Sequence, residues 1–279
     1  MTDTELSGAV PGILGATYRS ADVPPSLPNP ALFNPWTEAD GARILMKIPH
    51  VARYLIEDGN KISIQPDPGA DPRSVKLFLH VAARGYLIHQ RFETPLNAVT
   101  VIAPNGAAVA LSATSGLGKS TLAAELCRRG WLLVADSITR LTLTAGRVLA
   151  WPSDDKVVLW RSACESFGMD IASLEPIREG MEKFYVPMPS ANGPVPLKAV
   201  VRIQRGSKIA QIDELSKEEA AASLPEWLFR WHQFTPFPPA SQIHGTVQRI
   251  AQSCRVAHLS GAREVAPFEL ADLVARMVT

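Results

Sequence analysis

The residues best suited to chemistry are nine in a row, Ala113-Thr-Ser-Gly-Leu-Gly-Lys119-Ser120-Thr121. Gly116 and Gly118 permit backbone angles that side chains block, so successive N–H groups can converge on phosphate oxygens. Lys119 brings a point charge to the outer phosphates, and Ser120 offers a hydroxyl to Mg²⁺. Thr114, Ser115, Gly116, Leu117, Gly118, Lys119, Ser120 and Thr121 are therefore the candidate nucleotide-binding residues. A helix starting at the lysine adds its positive dipole end to the same anion. Seventeen residues beyond Lys119 the apolar run Leu132-Leu-Val-Ala closes in Asp136, a carboxylate delivered beside the loop. Lys119 and Asp136 are the candidate catalytic residues, with Ser120 and Asp136 as the metal pair. An aspartate at a strand end also commonly caps the next turn.

One position departs from the full G-x-x-x-x-G-K-[ST] pattern, because its first glycine is Ala113. Alanine suits the extended end of a strand and loses only positive φ.

The elements that must hold these residues are legible on either side. Val99-Thr-Val-Ile-Ala and Ala107-Ala-Val-Ala-Leu-Ser read as strands joined by Pro104-Asn105-Gly106, the second running straight into the loop. Leu122, Ala123 and Leu126 give the following helix one apolar face, and Gly130 ends it. A strand at 131–135 and a hairpin at 139–151 follow, so the predicted sheet carries much antiparallel pairing. Before the site, residues 1–40 are rich in Pro, Gly, Ser and Asn and are expected to form an irregular arm or covering segment. Residues 51–65 read as a hairpin with Asp58-Gly59 at its tip, and a helix is expected from Asp71-Pro72 to Gly85. After it, 152–200 reads as loop-rich with a short helix near 158–167. Residues 198–204 and 208–212 read as paired strands, 256–260 as a strand and 267–277 as a final helix. The fold class is α/β with α+β character, a P-loop nucleotide-binding domain with a mixed, partly antiparallel sheet. It is divided into an arm with a small α+β module at 1–90 and a catalytic domain at 91–279.

Composition narrows the rest. With 28 Lys and Arg against 27 Asp and Glu, and no long basic run, a nucleic acid partner is not implied. No apolar stretch approaches the ~20 residues of a membrane span. Three scattered cysteines without pair or metal spacing, and a start lacking signal-peptide character, fit a cytoplasmic protein. His232, His244 and His258 lack metal-ligand spacing and read as structural. A homo-oligomer is left open.

Ser115-Gly-Leu-Gly-Lys-Ser120, the helix end Arg129-Gly130 and Leu133-Val-Ala-Asp136 together resemble the catalytic domain of HPr kinase/phosphorylase and its HPr kinase-like relatives, over roughly residues 88–200. Those proteins read S-G-x-G-K-S, a helix ending in R-G, and a short apolar strand closing in two aspartates. The resemblance implies an ATP- and Mg²⁺-dependent kinase that phosphorylates serine on a peptide or small protein. Among its relatives are lasso-peptide-associated enzymes acting on a precursor peptide. The chain departs from the family at Ser137, where the second aspartate stands, and at Asn97, where relatives carry histidine. The family's glutamate signature is not recognisable; Asp154 and Asp155 are the nearest acids and candidates for a second metal contact, although paired acids in loops are more often solvated. Arg178 and Lys183 are candidates for clamping a phosphate or for a solvated helix face. The aromatic run Trp227, Phe229, Trp231, Phe234 and Phe237 is read as core before it is read as a peptide surface.

Two rivals stay open on these residues. A small-molecule kinase of the shikimate or gluconate type also places an aspartate one strand after the loop, but seldom spends a hundred residues before it. A catalytically degenerate ATP-binding regulator is motivated by Ser137 and Asn97. GTPases are disfavoured because no N-K-x-D motif follows, and Leu259-Ser-Gly-Ala lacks the context of a transporter-ATPase signature.

Overall fold

The structure is a computed structural model that describes residues 6–28, 30–41, 43–206, 208–234, 240–262 and 264–278. The first forty residues are not an irregular arm. They supply β1 (Ser7–Ala9), β2 (Thr17–Ser20), β3 (Ala31–Asn34) and β4 (Thr37–Ala39). With β5 (Arg43–Ile48), β6 (Ala52–Glu57) and β7 (Lys61–Pro66) they form a seven-stranded sheet in the order β1-β2-β7-β6-β5-β4-β3. Strands of three or four residues between prolines carry almost no periodicity of their own and gain their pairing from distant partners. The β6–β7 hairpin turns where expected, with positive φ at Asp58 and Gly59.

The helix predicted to stop at Gly85 runs on. Asp71 caps it by accepting from the N–H groups of Arg73 and Ser74, and Pro72 opens α1 (Pro72–Phe78). A π-helical turn at Leu79–Ala83 leads into α2 (Arg84–Gln90). Gly85 is there because nothing larger fits. A methyl group on it would meet the Phe229 ring at 2.6 Å and Ile138 at 2.8 Å. These helices lie on the first sheet, with Tyr54, Ile56, Ile62, Leu79 and Leu87 in their shared core, and Ile138 joins that core from the second half of the chain.

The second half is built on a nine-stranded sheet. Its members are β8 (Thr94–Leu96), β9 (Ala98–Ile102), β10 (Ala108–Ser112), β11 (Leu132–Ala135), β12 (Thr139–Thr144) and β13 (Arg147–Trp151), joined by three later strands. Helix α3 (Lys119–Arg128) follows the loop after β10. The small sheet of β14 (Lys156–Trp160), β15 (Glu175–Pro176) and β16 (Lys183–Pro187) comes next, with α4 (Arg161–Ser166) between its first two strands. The helix expected near 158–167 is thus half strand, and the charged stretch at 178–183 lies at strand ends rather than on a helix. Then come β17 (Val195–Arg205), β18 (Gln211–Glu214), α5 (Lys217–Ser223), α6 (Trp231–Phe234), α7 (Ala240–Ser253), β19 (Arg255–Ala262) and α8 (Pro267–Arg276). β17 and β18, expected to pair with each other, instead flank β19. Pairings of β17 with β10 and β19 are parallel, while β9–β10, β9–β11, β12–β13 and β13–β17 are antiparallel, so the sheet is mixed.

Helices α3 and α8 cover one face of this sheet through Leu122, Leu126, Leu270 and Val274, and α7 with Trp227 and Trp231 covers the other. The core reading of the aromatics holds for those two tryptophans. Phe229 packs edge-on against Tyr86, and the side chains of Phe234 and Phe237 lie outside the described residues. His244 and His258 sit against Trp231 and Trp227. No helix of the described residues is long and apolar enough to cross a membrane.

Because helix α2 touches Phe229 and Ile138 through Gly85, the substitution Gly85→Ala is expected to destabilise the fold by about 1–3 kcal/mol, the range for overpacking. Helix propensity alone would predict a gain of ~1 kcal/mol. Denaturant midpoints of the two proteins decide the sign.

Candidate functional site

Strand β10 ends in a fully buried Ala113, which stays out of the positive-φ region, so the missing glycine costs the loop nothing there. Gly116 and Gly118 turn the loop with φ of 83° and 84°, and Gly118 stands at the N-cap of α3. The apolar face of that helix buries Leu122, Ala123 and Leu126, which points its N-terminus at the loop. Lys119 folds back over the loop and its Nζ donates to the Ala113 carbonyl at 2.9 Å. Thr114, Ser115 and Gly118 remain exposed. A loop held open around backbone N–H groups, with a helix N-terminus below and a lysine beside it, is a fit for phosphate.

Asp136 ends β11 and is brought to the mouth of α3. Its Oδ1 accepts from Ser120 Oγ at 3.1 Å, and its Oδ2 accepts from the Val158 N–H at 3.1 Å. The carboxylate is 5% exposed. Burial, and next the charge of Asp154, push it up to about 6, against the pull of the hydrogen bonds from Val158 and Ser120. Ser137, where a second aspartate was sought, adopts φ +66° and reaches Asp136 with its backbone N–H and, at 3.5 Å, its hydroxyl.

Asp154 is not a solvated loop acid but one partner of a partly buried ion pair. Its two oxygens accept from Arg84 Nη1 and Nη2 at 3.2 and 3.1 Å, from the Asp136 N–H at 3.2 Å and from Ser153 Oγ at 2.5 Å. Three of these donors fall on Oδ2 and one on Oδ1, so the carboxylate is held in place while still lining the cleft. Asp155 is exposed at the cleft rim.

These groups open into a cleft of about 730 Å³. The phosphate loop forms its floor, α1 and the π turn one wall, and β14 to β16 with Arg178 the other. Cations are concentrated here. Burial holds Lys119 below the usual lysine range, with Arg202 and Lys183 adding to the effect and Asp136 opposing it. Lys183 is lowered by burial and by Arg178, again against Asp136. Its ammonium lies 4.4 Å from the Trp160 ring centre, and the buried Nε of Arg178 has no hydrogen-bond partner. Half-buried like charges of this kind call for an anionic ligand. Among the described residues no group of three or more His, Cys, Asp or Glu could hold a metal. One carboxylate with one hydroxyl suits Mg²⁺, which takes its other oxygens from phosphate and water.

Searches against protein-family models and curated proteins match nothing. Among solved structures the chain is similar to the HPr(Ser) kinase/phosphatase from Coxiella burnetii, at 12% identity over 65% of this chain and 94% of that one, with a TM-score of 0.36. A likeness this distant carries no argument about the chemistry of this chain, which has to come from its own residues.

The structure thus brings Lys119, Ser120 and Asp136 together, and adds Lys183 and Arg178 from the small sheet. Sequence reasoning missed Arg84 altogether. It lies in the run His80-Val-Ala-Ala-Arg84-Gly-Tyr-Leu-Ile, and a lone charge inside an apolar helix is a signal for a buried partner.

The buried carboxylate has a consequence for stability. With its folded-state value raised above the usual 3.8, Asp136 holds a proton more tightly in the native state. Its stabilising contribution is complete below pH ~4 and is lost as pH rises through about 6. In the ligand-free protein Asp136→Asn, which keeps a hydrogen bond to Ser120, is expected to match the wild type near pH 4. It should exceed it at pH 7.5 by on the order of 2 kcal/mol. Equal melting temperatures at both pH values would contradict the burial of a charge at this site.

Proposed function

We propose that this chain is an ATP-dependent, Mg²⁺-requiring phosphotransferase that moves the γ-phosphate to a hydroxyl, with serine on a peptide or small protein as the acceptor. The single observation that carries this reading is the placement of Asp136 against Ser120 beside Lys119, at the floor of a cleft lined with desolvated cations. The cleft continues past the loop between α1 and the small sheet, which provides room for a second substrate. The sequence motifs that resemble HPr kinase-like proteins support serine as the acceptor, and a lasso-peptide precursor is one candidate for the peptide.

In this reading the backbone N–H groups from Ser115 to Ser120 hold the triphosphate and Lys119 leaves Ala113 to meet its outer oxygens. Ser120 and Asp136 would hold Mg²⁺, which would supply neutralisation of the phosphate charge. Asp136 accepts the acceptor's proton as that oxygen bonds to phosphorus and the bond to the bridging oxygen of ADP breaks. Lys183 and Arg178 face the charge that spreads over the transferring group.

Two variants test the assignment. Lys119→Ala removes a charge and no core volume, so transfer of γ-labelled phosphate should be abolished with the melting temperature unchanged. Asp136→Asn should slow transfer by roughly 10²-fold or more, the range for losing a general base, and ATP affinity should fall far less unless Asp136 serves chiefly as a metal ligand. Equal labelling of a serine peptide by wild type and Asp136→Asn would remove the carboxylate from the mechanism. Wild type that binds ATP but labels nothing across a broad peptide panel would favour a regulatory ATP-binding role.

The metal is tested separately. Calorimetric affinity for ATP should drop on replacing Mg²⁺ with EDTA, and Ser120→Ala should weaken that dependence. The same affinity in both buffers would count against the Ser120–Asp136 pair as a cation site.

A further inference from the structure

We propose that Arg84 is a positioning residue for the Asp136 carboxylate, which makes helix α2 a working part of the phosphate site; this rests on the reading of that site given above. The peptide group before Asp136 and the one after it are both held by the same ion pair. Asp154 accepts from the Asp136 N–H at 3.2 Å, and Arg84 Nη2 donates to the Asp136 carbonyl at 3.3 Å while also gripping Asp154. The carbonyl accepts again from the Ile138 N–H at 2.7 Å, closing a three-residue γ-turn around Ser137 at φ +66°. That left-handed γ-turn is rare and strained for any residue but glycine, and a strained turn persists only where its surroundings over-determine it.

The surroundings here come from outside the β11–β12 connection. Arg84 is 2% exposed, and its Nε is buried without a hydrogen-bond partner. A guanidinium buried at this cost adds little to stability that an apolar side chain of similar volume would not supply. What it does supply is two fixed N–H directions, one set on Asp154 and one on the Asp136 carbonyl. The π turn at Leu79–Ala83 immediately before it carries an extra residue per turn and sets the direction in which Arg84 leaves the helix. Gly85, next along, lets the helix backbone approach Ile138 on the far side of the same turn. Three neighbouring features, the π turn, Arg84 and Gly85, therefore converge on one three-residue turn whose first residue carries the site's carboxylate.

Removing the clamp frees the turn to relax, and the carboxylate then swings from Ser120. Arg84→Met and Asp154→Asn should each lower kcat by about 10- to 100-fold, the cost of misplacing a reacting group by around 1 Å. KM for Mg²⁺·ATP should change by a smaller factor than kcat, because the loop backbone and Lys119 are untouched and only the Asp136 half of the cation pair moves. Arg84→Lys, which keeps the charge but replaces the planar two-nitrogen fork by a single nitrogen, should fall between. Hydrogen exchange in the ligand-free proteins should show the Ile138 amide losing protection in both clamp variants, with the amides of β9 and β10 unchanged. A merely structural arginine would lower the melting temperature of all segments together and leave kcat per folded molecule unmoved, and that outcome overturns the proposal. If Arg84→Met does not fold, the near-isosteric Asp154→Asn decides on the same readouts. Wild type that binds no Mg²⁺·ATP would refute the phosphate site instead, and the exchange of Ile138 would still decide whether Arg84 holds the turn.

Discussion

The site depends on keeping one carboxylate charged in a place that disfavours charge. Asp136 is buried at the end of β11, and every group around it answers to that cost. Ser120 and the Val158 N–H satisfy its oxygens, while Asp154 and Arg84 hold its backbone. A carboxylate solvated in an open loop would sit near its ordinary value and rotate freely. Here burial raises it to about 6, and the hydrogen bonds from Ser120 and Val158 keep it from rising further. The result is a group close to the balance point between acid and base near neutrality, oriented along a single direction.

That arrangement draws on three separate parts of the chain. β11 brings the carboxylate, α3 brings the hydroxyl, and β14 brings a backbone N–H. The ion pair adds a fourth, from a helix that lies on a different sheet. The two halves of the molecule therefore share a load beyond apolar packing at Ile138 and Phe229. Arg140 makes a second tie, donating to Glu93 and to the Gly12 carbonyl across the same junction.

The sequence made the phosphate loop and its flanking elements legible because glycine, lysine and hydroxyl have to be adjacent in the chain to do their work. Asp136 was legible for a similar reason, as the polar end of an apolar strand. What stayed hidden were relations that depend on distance in the chain. Arg84 and Asp154 are 70 residues apart, and although the apolar run around Arg84 signals burial, nothing local names its partner. The four early strands were hidden by their shortness and by the prolines between them. Gly85 was misread because a glycine that admits a neighbour and a glycine that ends a helix look alike in one dimension. Residues 178–183 looked like a helix face, since a charged stretch at strand ends has no period of its own.

The cations of the cleft bear on how a ligand would arrive. The chain as a whole is almost neutral, at +1, so its overall field offers an approaching anion no guidance. Lys119, Lys183 and Arg178 concentrate positive potential in one concavity with low-dielectric walls, where field lines are focused rather than spread. Capture of a polyanion is then a short-range event, felt within the ~8–10 Å over which physiological salt screens charge. Encounter rates should accordingly respond to ionic strength as a local funnel does, while collisions elsewhere on the surface are electrostatically indifferent.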